Sequence, residues 1–418
     1  YYQLRVKPPS FDLAFIQSQL NEHQSVVEYL VDENQVWAFV ISMDKVDLLP
    51  LRGTLNLAKL VEQLRSSLIG PDQAQASAQS YTKSASELYD CLVNPIESHL
   101  NAELIIIPDD ILSYLPFECL LSEAASPLQA SHQLPFWLKE KTISYAYSAN
   151  LWVNSRNKRR FAPKRLLAVA PKFERQQSEY AYNRGDYLGP LKSSRAEAQR
   201  VAQIWQGETL LDSMASVQNF EALASQYQII HLATHGKILD EGTGRSFLAF
   251  YGPEDTLRLG ERSYPQVQAL YLSELFSLRL RSDLVVLSAC ETGLGKLYKG
   301  EGVASLARGF TYAGAASIIN TLWSVSDEGS KILMERFYYH LNQSRSRAEA
   351  LRLAKLDLIE TRPEFGMPFY WAGYILVGDE RKLITQNHGN GILYLLLLIS
   401  FAFAVGMLLQ SQKQKTAD

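Results

Sequence analysis

The sequence predicts an α/β fold, with helices on both faces of a largely parallel sheet, and two observations carry that expectation. Short apolar runs of strand type recur at residues 36–41, 104–107, 166–170, 229–233, 284–287, 316–320 and 374–377. Several are continuous rather than alternating, as in strands buried on both faces. Helical patterns lie between them. Residues 302–313 put Val303, Leu306, Ala307 and Phe310 on one stripe and stop at Gly314, a favourable C-terminal glycine. Ser346-Arg347-Ala348-Glu349 reads as a capping box that opens a helix running to about Ile359.

At 418 residues the chain is long enough for two or three domains. Hydrophobic residues make up 47% and charged residues 20%, which excludes a disordered or fibrous protein. The net charge of −3 supplies no global basic field, so nucleic acid is not an expected partner. Three cysteines, Cys91, Cys119 and Cys290, are too few for a disulfide framework and lack zinc spacing, which favours a reducing compartment. The chain opens at Tyr1 without a signal-peptide pattern and is expected to be cut from something longer. No internal repeat or low-complexity tract is visible. The basic stretch 154–164, NSRNKRRFAPK, reads as a solvated linker between a front part, 1–155, and a second part, 164–380. Residues 174–190 and 239–265 read as long, mobile loops.

Beyond a polar linker at 379–390 lies GILYLLLLISFAFAVGMLL, residues 391–409, which carries no charge. As a helix it is roughly 28 Å long, close to the ~30 Å of a bilayer core. A single membrane span is therefore expected there. The flanking charges nearly tie, and the free thiols put the part of the chain before the span on the cytoplasmic side.

Several motifs fail on inspection. The glycine-rich 293–300 lacks the Lys-Ser/Thr of a phosphate loop, the dinucleotide spacing is absent, and there is neither a nucleophile-elbow serine nor HExxH. No cofactor or metal is expected. What remains is a pair of strand ends. The apolar run at 229–233 leads to His235-Gly236, and the run at 284–287 leads to Cys290 with glycines behind it. Ligands bind beyond the carboxyl ends of strands in open α/β sheets, so neighbouring strands would bring His235 and Cys290 together. Cysteine attacks carbonyls as the thiolate, and imidazole can protonate a leaving amine near neutrality. The amides of Gly236 and Cys290 are candidates for an oxyanion hole. His231, inside its strand, reads as a packed structural histidine, and Cys91 and Cys119 read as core.

The stretches IIHLATHG (229–236), LVVLSACETGLGKLYKGEGVASLARGFTYAGAASIINTLWSVSD (284–327) and FYWAGYILVGD (369–379) closely resemble the CHAT family, caspase-like domains often found with tetratricopeptide repeats. LIIIPDDILSYLPFECLL (104–121) and TISYAYSANLW (142–152) resemble that family's N-terminal portion. The His-to-Cys separation is also close to the ~50 residues of caspases. The resemblance implies a caspase-like three-layer sandwich and a cysteine endopeptidase related to caspases and separases, with His235 and Cys290 as the catalytic dyad. It also implies that the front part is a degenerate, protease-like half bracing the active half. Upstream tetratricopeptide repeats or another sensor are absent from these residues, and Ser326 stands where many relatives carry an acidic residue.

The expected protein is thus a membrane-anchored cysteine endopeptidase acting on protein or peptide substrates. The alternative is a catalytically silent scaffold of the same fold, and acyl transfer or ester hydrolysis would use the same dyad. Glu291, Glu301 and Asp327 gather near the expected site, and Glu291 and Asp327 are candidates for a pocket that prefers Arg or Lys before the cut. The competing role for Glu301 and Asp327 is at helix N-termini, where the macrodipole favours negative charge.

Overall fold

The computed structural model describes residues 12–32, 35–51, 56–68, 74–157, 161–173, 188–238, 246–259, 262–288, 295–298 and 302–384. α1 (Leu13–Ser18) precedes an antiparallel meander of β1 (Gln24–Val31), β2 (Val36–Ile41) and β3 (Val46–Leu51). α2 (Leu57–Leu68) and α3 (Ala74–Leu92) follow, then β4 (Glu103–Ile107) parallel to β1, β5 (Thr142–Tyr145) parallel to β4, and α4 (Ala149–Asn157). Next come β6 (Lys164–Ala170), α5 (Ser194–Trp205), β7 (Glu208–Leu211), α6 (Val217–Ala224) and β8 (Tyr227–Leu232), with β6 between β7 and β8 and all three parallel. β9 (Gly236–Lys237), β10 (Phe247–Leu259) and β11 (Arg262–Tyr271) form a separate antiparallel sheet. α7 (Leu272–Leu275) leads to β12 (Leu284–Leu287), followed by the pair β13 (Gly295–Tyr298) and β14 (Gly302–Ser305) and then α8 (Leu306–Ala313). β15 (Ser317–Thr321), α9 (Asp327–Asn342), α10 (Arg347–Thr361) and β16 (Tyr374–Gly378) complete the order.

One sheet of 11 strands runs β3-β2-β1-β4-β5-β16-β15-β12-β8-β6-β7. β15, β12, β8, β6 and β7 are parallel, β16 is antiparallel to β15, and β16 meets β5 through Val377 and Tyr145. The fold is therefore mixed α/β around a large, mostly parallel sheet. Its strands alternate their side chains between two covered faces. Ile230 and Leu232 of β8 join a core with Phe220 of α6, Leu275 of α7 and Phe310 of α8. His231, between them in sequence, points to the other face and meets α5 and α9. Burial on both faces is why β12 reads as an unbroken apolar run and why β8 reads as one interrupted by His231.

Tight contacts explain two glycines. Gly314 ends α8 at φ +118°, and a side chain there would meet the Leu280 carbonyl at 2.5 Å. Gly373 lies under Trp323, where a Cβ would stand 2.8 Å from Cε2, while the Trp323 indole donates to the Phe369 carbonyl at 2.9 Å.

Four sequence expectations change. The helix expected over 302–313 begins only at Leu306. Ser305 caps it by accepting from Arg308 N–H, and 302–305 instead pairs as β14 with β13. The loop expected at 239–265 contains all of β10 and the start of β11. Gly252-Pro253-Glu254-Asp255 mimics a loop because it falls in a register shift of that hairpin. Asp379 and Glu380, expected to open a polar linker, are buried. Asp379 pairs with Arg347 and Arg381, and Glu380 accepts from the Trp152 indole and from Gln24. The expected membrane span is likewise corrected: among the described residues no helix is long and apolar enough to cross a membrane. The longest of them, α3, has 19 residues but carries Gln, Ser, Thr, Lys, Glu and Asp, whereas a lipid-crossing helix is apolar all round. Residues 391–409 lie outside the described residues.

Candidate active site

In the second part of the sheet, strand order reverses between β6 and β8, because β7 lies outward of β6 while β8, β12 and β15 extend the other way. Such a switch point opens a crevice beyond the strands' carboxyl ends. His235 stands there, three residues past the end of β8. Its backbone is clipped on both sides. Ala233 N–H donates to the Val169 carbonyl of β6 at 2.9 Å, and Ala249 N–H of β10 donates to the His235 carbonyl at 2.9 Å. The Thr234 hydroxyl donates to the Ala249 carbonyl.

The His235 ring packs edge-on against Phe173, just beyond β6, with centroids 4.7 Å apart. Phe173 belongs to an apolar cluster with Leu188, Phe247 and Ala249 that floors the site. His235 Nε2 lies 2.6 Å from the Gly189 carbonyl oxygen. A carbonyl only accepts, so Nε2 carries the proton and Nδ1 presents the lone pair. Gly236 faces Leu248 in the β9–β10 register. Because the neighbouring His235/Ala249 pair is hydrogen-bonded, alternation makes Gly236/Leu248 a non-hydrogen-bonded pair, and the ladder does not use the Gly236 N–H.

Asp327 opens α9 after Ser326, whose hydroxyl accepts from Gly329 N–H. The half-buried Asp327 accepts the Ser193 N–H at 2.7 Å through Oδ2. One loop, 188–193, thus serves both His235 and Asp327. Beside it opens a cleft of about 490 Å³ whose lining includes Lys192, Asp327, Lys331, Glu335 and Arg362. Cys290, Glu291 and Glu301 lie outside the described residues. β12, which leads to Cys290, is parallel to β8, with Leu287 beside Leu232. Cys290 follows Leu287 by three positions in the sequence, as His235 follows Leu232. Cys91 and Cys119 are buried, and burial pushes both thiols up, Cys91 to about 11, so neither is a ready thiolate. His231 is buried, with Glu197 at 3.0 Å and the Tyr338 hydroxyl at 3.3 Å.

Sequence reasoning missed Gly189 and Phe173, whose partners are far away in sequence. The only local signal was the rigid Gly189-Pro190 step at the end of a long loop.

Burial holds His235 below the ordinary histidine value of 6.5. The Gly189 carbonyl and the Asp327 charge oppose that shift, and Lys237 adds to it. The folded state therefore binds this proton less tightly than the unfolded chain. The contribution is absent above pH 6.5, and stability falls as pH drops from there through the depressed value. Histidine NMR titration should place the His235 midpoint below 6.5. Asp327→Asn should lower it further, because the carboxylate favours imidazolium, and Phe173→Ala should raise it by admitting water. A wild-type midpoint at or above 6.5 would contradict this account.

The mixed α/β sheet has a counterpart among solved structures. A chain in a crystal structure of the Saccharomyces cerevisiae separase–securin complex superposes over 88% of this chain and 30% of its own, at TM-score 0.54 and 9% identity. That likeness is one of fold. The CHAT domain model matches residues 82–379, and the chain belongs to the CHAT-domain family. Tetratricopeptide repeat protein 28 of Mus musculus is 28% identical over 222 residues, and its Homo sapiens counterpart 27%. Each alignment covers 48% of this chain and spans only 9% of the relative's length.

Proposed function

We propose that this protein is a cysteine endopeptidase with His235 and Cys290 as its dyad. The observation that carries the proposal is the parallel register of β8 and β12, from which both residues stand three positions downstream, together with the fixed tautomer of His235. Cys290 Sγ gives its proton to His235 Nδ1 and attacks the scissile carbonyl. The amides of Gly236 and Cys290 hold the oxyanion. Collapse of the tetrahedral adduct expels the amine, which takes the proton from His235. Water then gives a proton to Nδ1, attacks the thioester and releases the acid while Sγ regains its proton. Asp327, which lines the mixed-charge cleft, and Glu291 are the acids proposed to receive the substrate side chain before the cut. In this proposal residues 1–155 are a non-catalytic half that braces residues 164–380 through the shared sheet, and a tetratricopeptide-repeat or other sensor segment is the natural upstream partner.

Peptidyl acyloxymethyl ketones with either Arg or Asp at the residue before the warhead test this reading. Adduct mapping by mass spectrometry should find Cys290 modified, with Cys91 and Cys119 spared, and Cys290→Ala should abolish labelling. Faster labelling by the Arg probe, diminished in Asp327→Asn, would assign the pocket acids. Adducts that persist in Cys290→Ala would remove the nucleophile assignment.

A further inference from the structure

We infer that Glu197, paired with His231 beneath the sheet, is a positioning residue that sets the orientation of His235 through the 188–193 loop. The inference rests on the proposed dyad but concerns residues outside it. Glu197 Oε1 and His231 Nε2 approach to 3.0 Å, and both side chains are at most 2% exposed. The contact lies within ion-pair distance, is ionic only when His231 carries a proton, and is not an aligned hydrogen bond. The Tyr338 hydroxyl of α9 completes the cluster at His231 Nδ1, and the Tyr338 carbonyl accepts the Trp205 indole N–H of α5 at 3.2 Å. Three elements, α5, β8 and α9, are thus locked around one buried polar cluster.

All three of these elements begin or end at the site. β8 carries His231 inside the sheet and His235 just beyond it. α5 carries Glu197 and starts at Ser194, whose hydroxyl donates back to the Leu191 carbonyl at 3.2 Å. The same loop gives the Gly189 carbonyl to His235 and the Ser193 N–H to Asp327, the first residue of α9. Sliding or rolling α5 on β8 would therefore move the carbonyl that fixes the His235 tautomer. The other inward residues of α5 are Ser194, Ala198, Val201, Ala202 and Trp205; the Trp205 indole reaches α9, so Glu197 is the α5 side chain with a polar contact to β8 among them. A buried polar pair of this kind adds little stability relative to apolar residues of similar volume, but it constrains how the two elements can pack. Here that geometry fixes α5 against β8.

The test compares wild type, Glu197→Ala and the double variant Glu197→Leu with His231→Leu, whose apolar pair preserves packing if Glu197→Ala fails to fold. In 15N-histidine-labelled protein, wild-type His235 should be the Nε2–H tautomer, assigned by loss of its signals in His235→Gln. In each folded variant a second tautomer should appear. The Cys290-dependent rate should fall about tenfold to a hundredfold with KM little changed, as expected when a reacting group shifts by ~1 Å. Wild-type tautomer and rate in a folded variant would overturn the inference. Because the tautomer is read without turnover, a wild type that lacks Cys290-dependent labelling refutes the peptidase reading alone. Active enzyme whose tautomer ignores Glu197 refutes this inference alone.

Discussion

Cys290→Ala and His235→Ala should each lose peptide cleavage by about 10⁴-fold or more while remaining folded, and the double variant should be little worse than either single one. Non-additivity is the informative part. A nucleophile and its proton-transfer partner act as one unit, so removing either removes the covalent route, and the second deletion finds nothing left to disable. What survives is binding and whatever the oxyanion donors contribute, which neither substitution touches. The two variants should differ in one respect: His235→Ala retains the thiol and should still react slowly with a strong alkylating agent. Initial rates on a cleavable peptide, with folding checked by circular dichroism, measure the losses. Retention of more than a few per cent of activity in either variant would remove the dyad.

Lys355→Ala should destabilise the fold by about 3–5 kcal/mol, the cost of stripping one partner from a buried ion pair. Lys355 Nζ on α10 meets Glu118 Oε1 at 3.0 Å, with both side chains at most 2% exposed. Glu118 also accepts the Tyr145 hydroxyl, which in turn accepts Phe117 N–H at 2.8 Å. The pair joins a front-half segment, beside β5, to a helix of the second half. Without Lys355 the carboxylate is left in an apolar setting with one neutral donor. Replacing both charges, Glu118→Leu with Lys355→Met, should recover most of the loss, because the desolvation cost leaves with the pair. Urea unfolding midpoints measure both effects. A cost below ~1 kcal/mol for Lys355→Ala would mean that water reaches the site, since exposed pairs contribute only that much.

How much was legible in the sequence varied with the range of the interactions involved. β2 and β12 were readable to the residue because both are apolar at every position, β12 buried on both faces and β2 alternating buried with half-buried residues. The start of α10 was readable because a capping box is a local hydrogen-bond device. Ser346 accepts from Glu349 N–H at 3.1 Å, three residues away. β10 was hidden because a bulge let Gly, Pro, Glu and Asp interrupt its pattern. The start of α8 was misplaced because Val303 fits the helical stripe, although Ser305 caps the helix two residues later.

By itself the sequence determined the α/β class, the placement of His235 just past a strand end, and the CHAT resemblance, all of which rest on runs of adjacent residues. Only the tertiary structure decided which nitrogen of His235 carries the proton. It also decided that Asp327 is held by Ser193 N–H, and that Asp379, Glu380 and Glu118 are buried charges rather than solvated ones. The reason is physical. A carbonyl acceptor, a backbone donor or a counter-ion 46, 134 or 237 positions away leaves no periodic mark on the sequence. Such partners meet only when the sheet orders its strands, and that order follows from the summed packing of both faces.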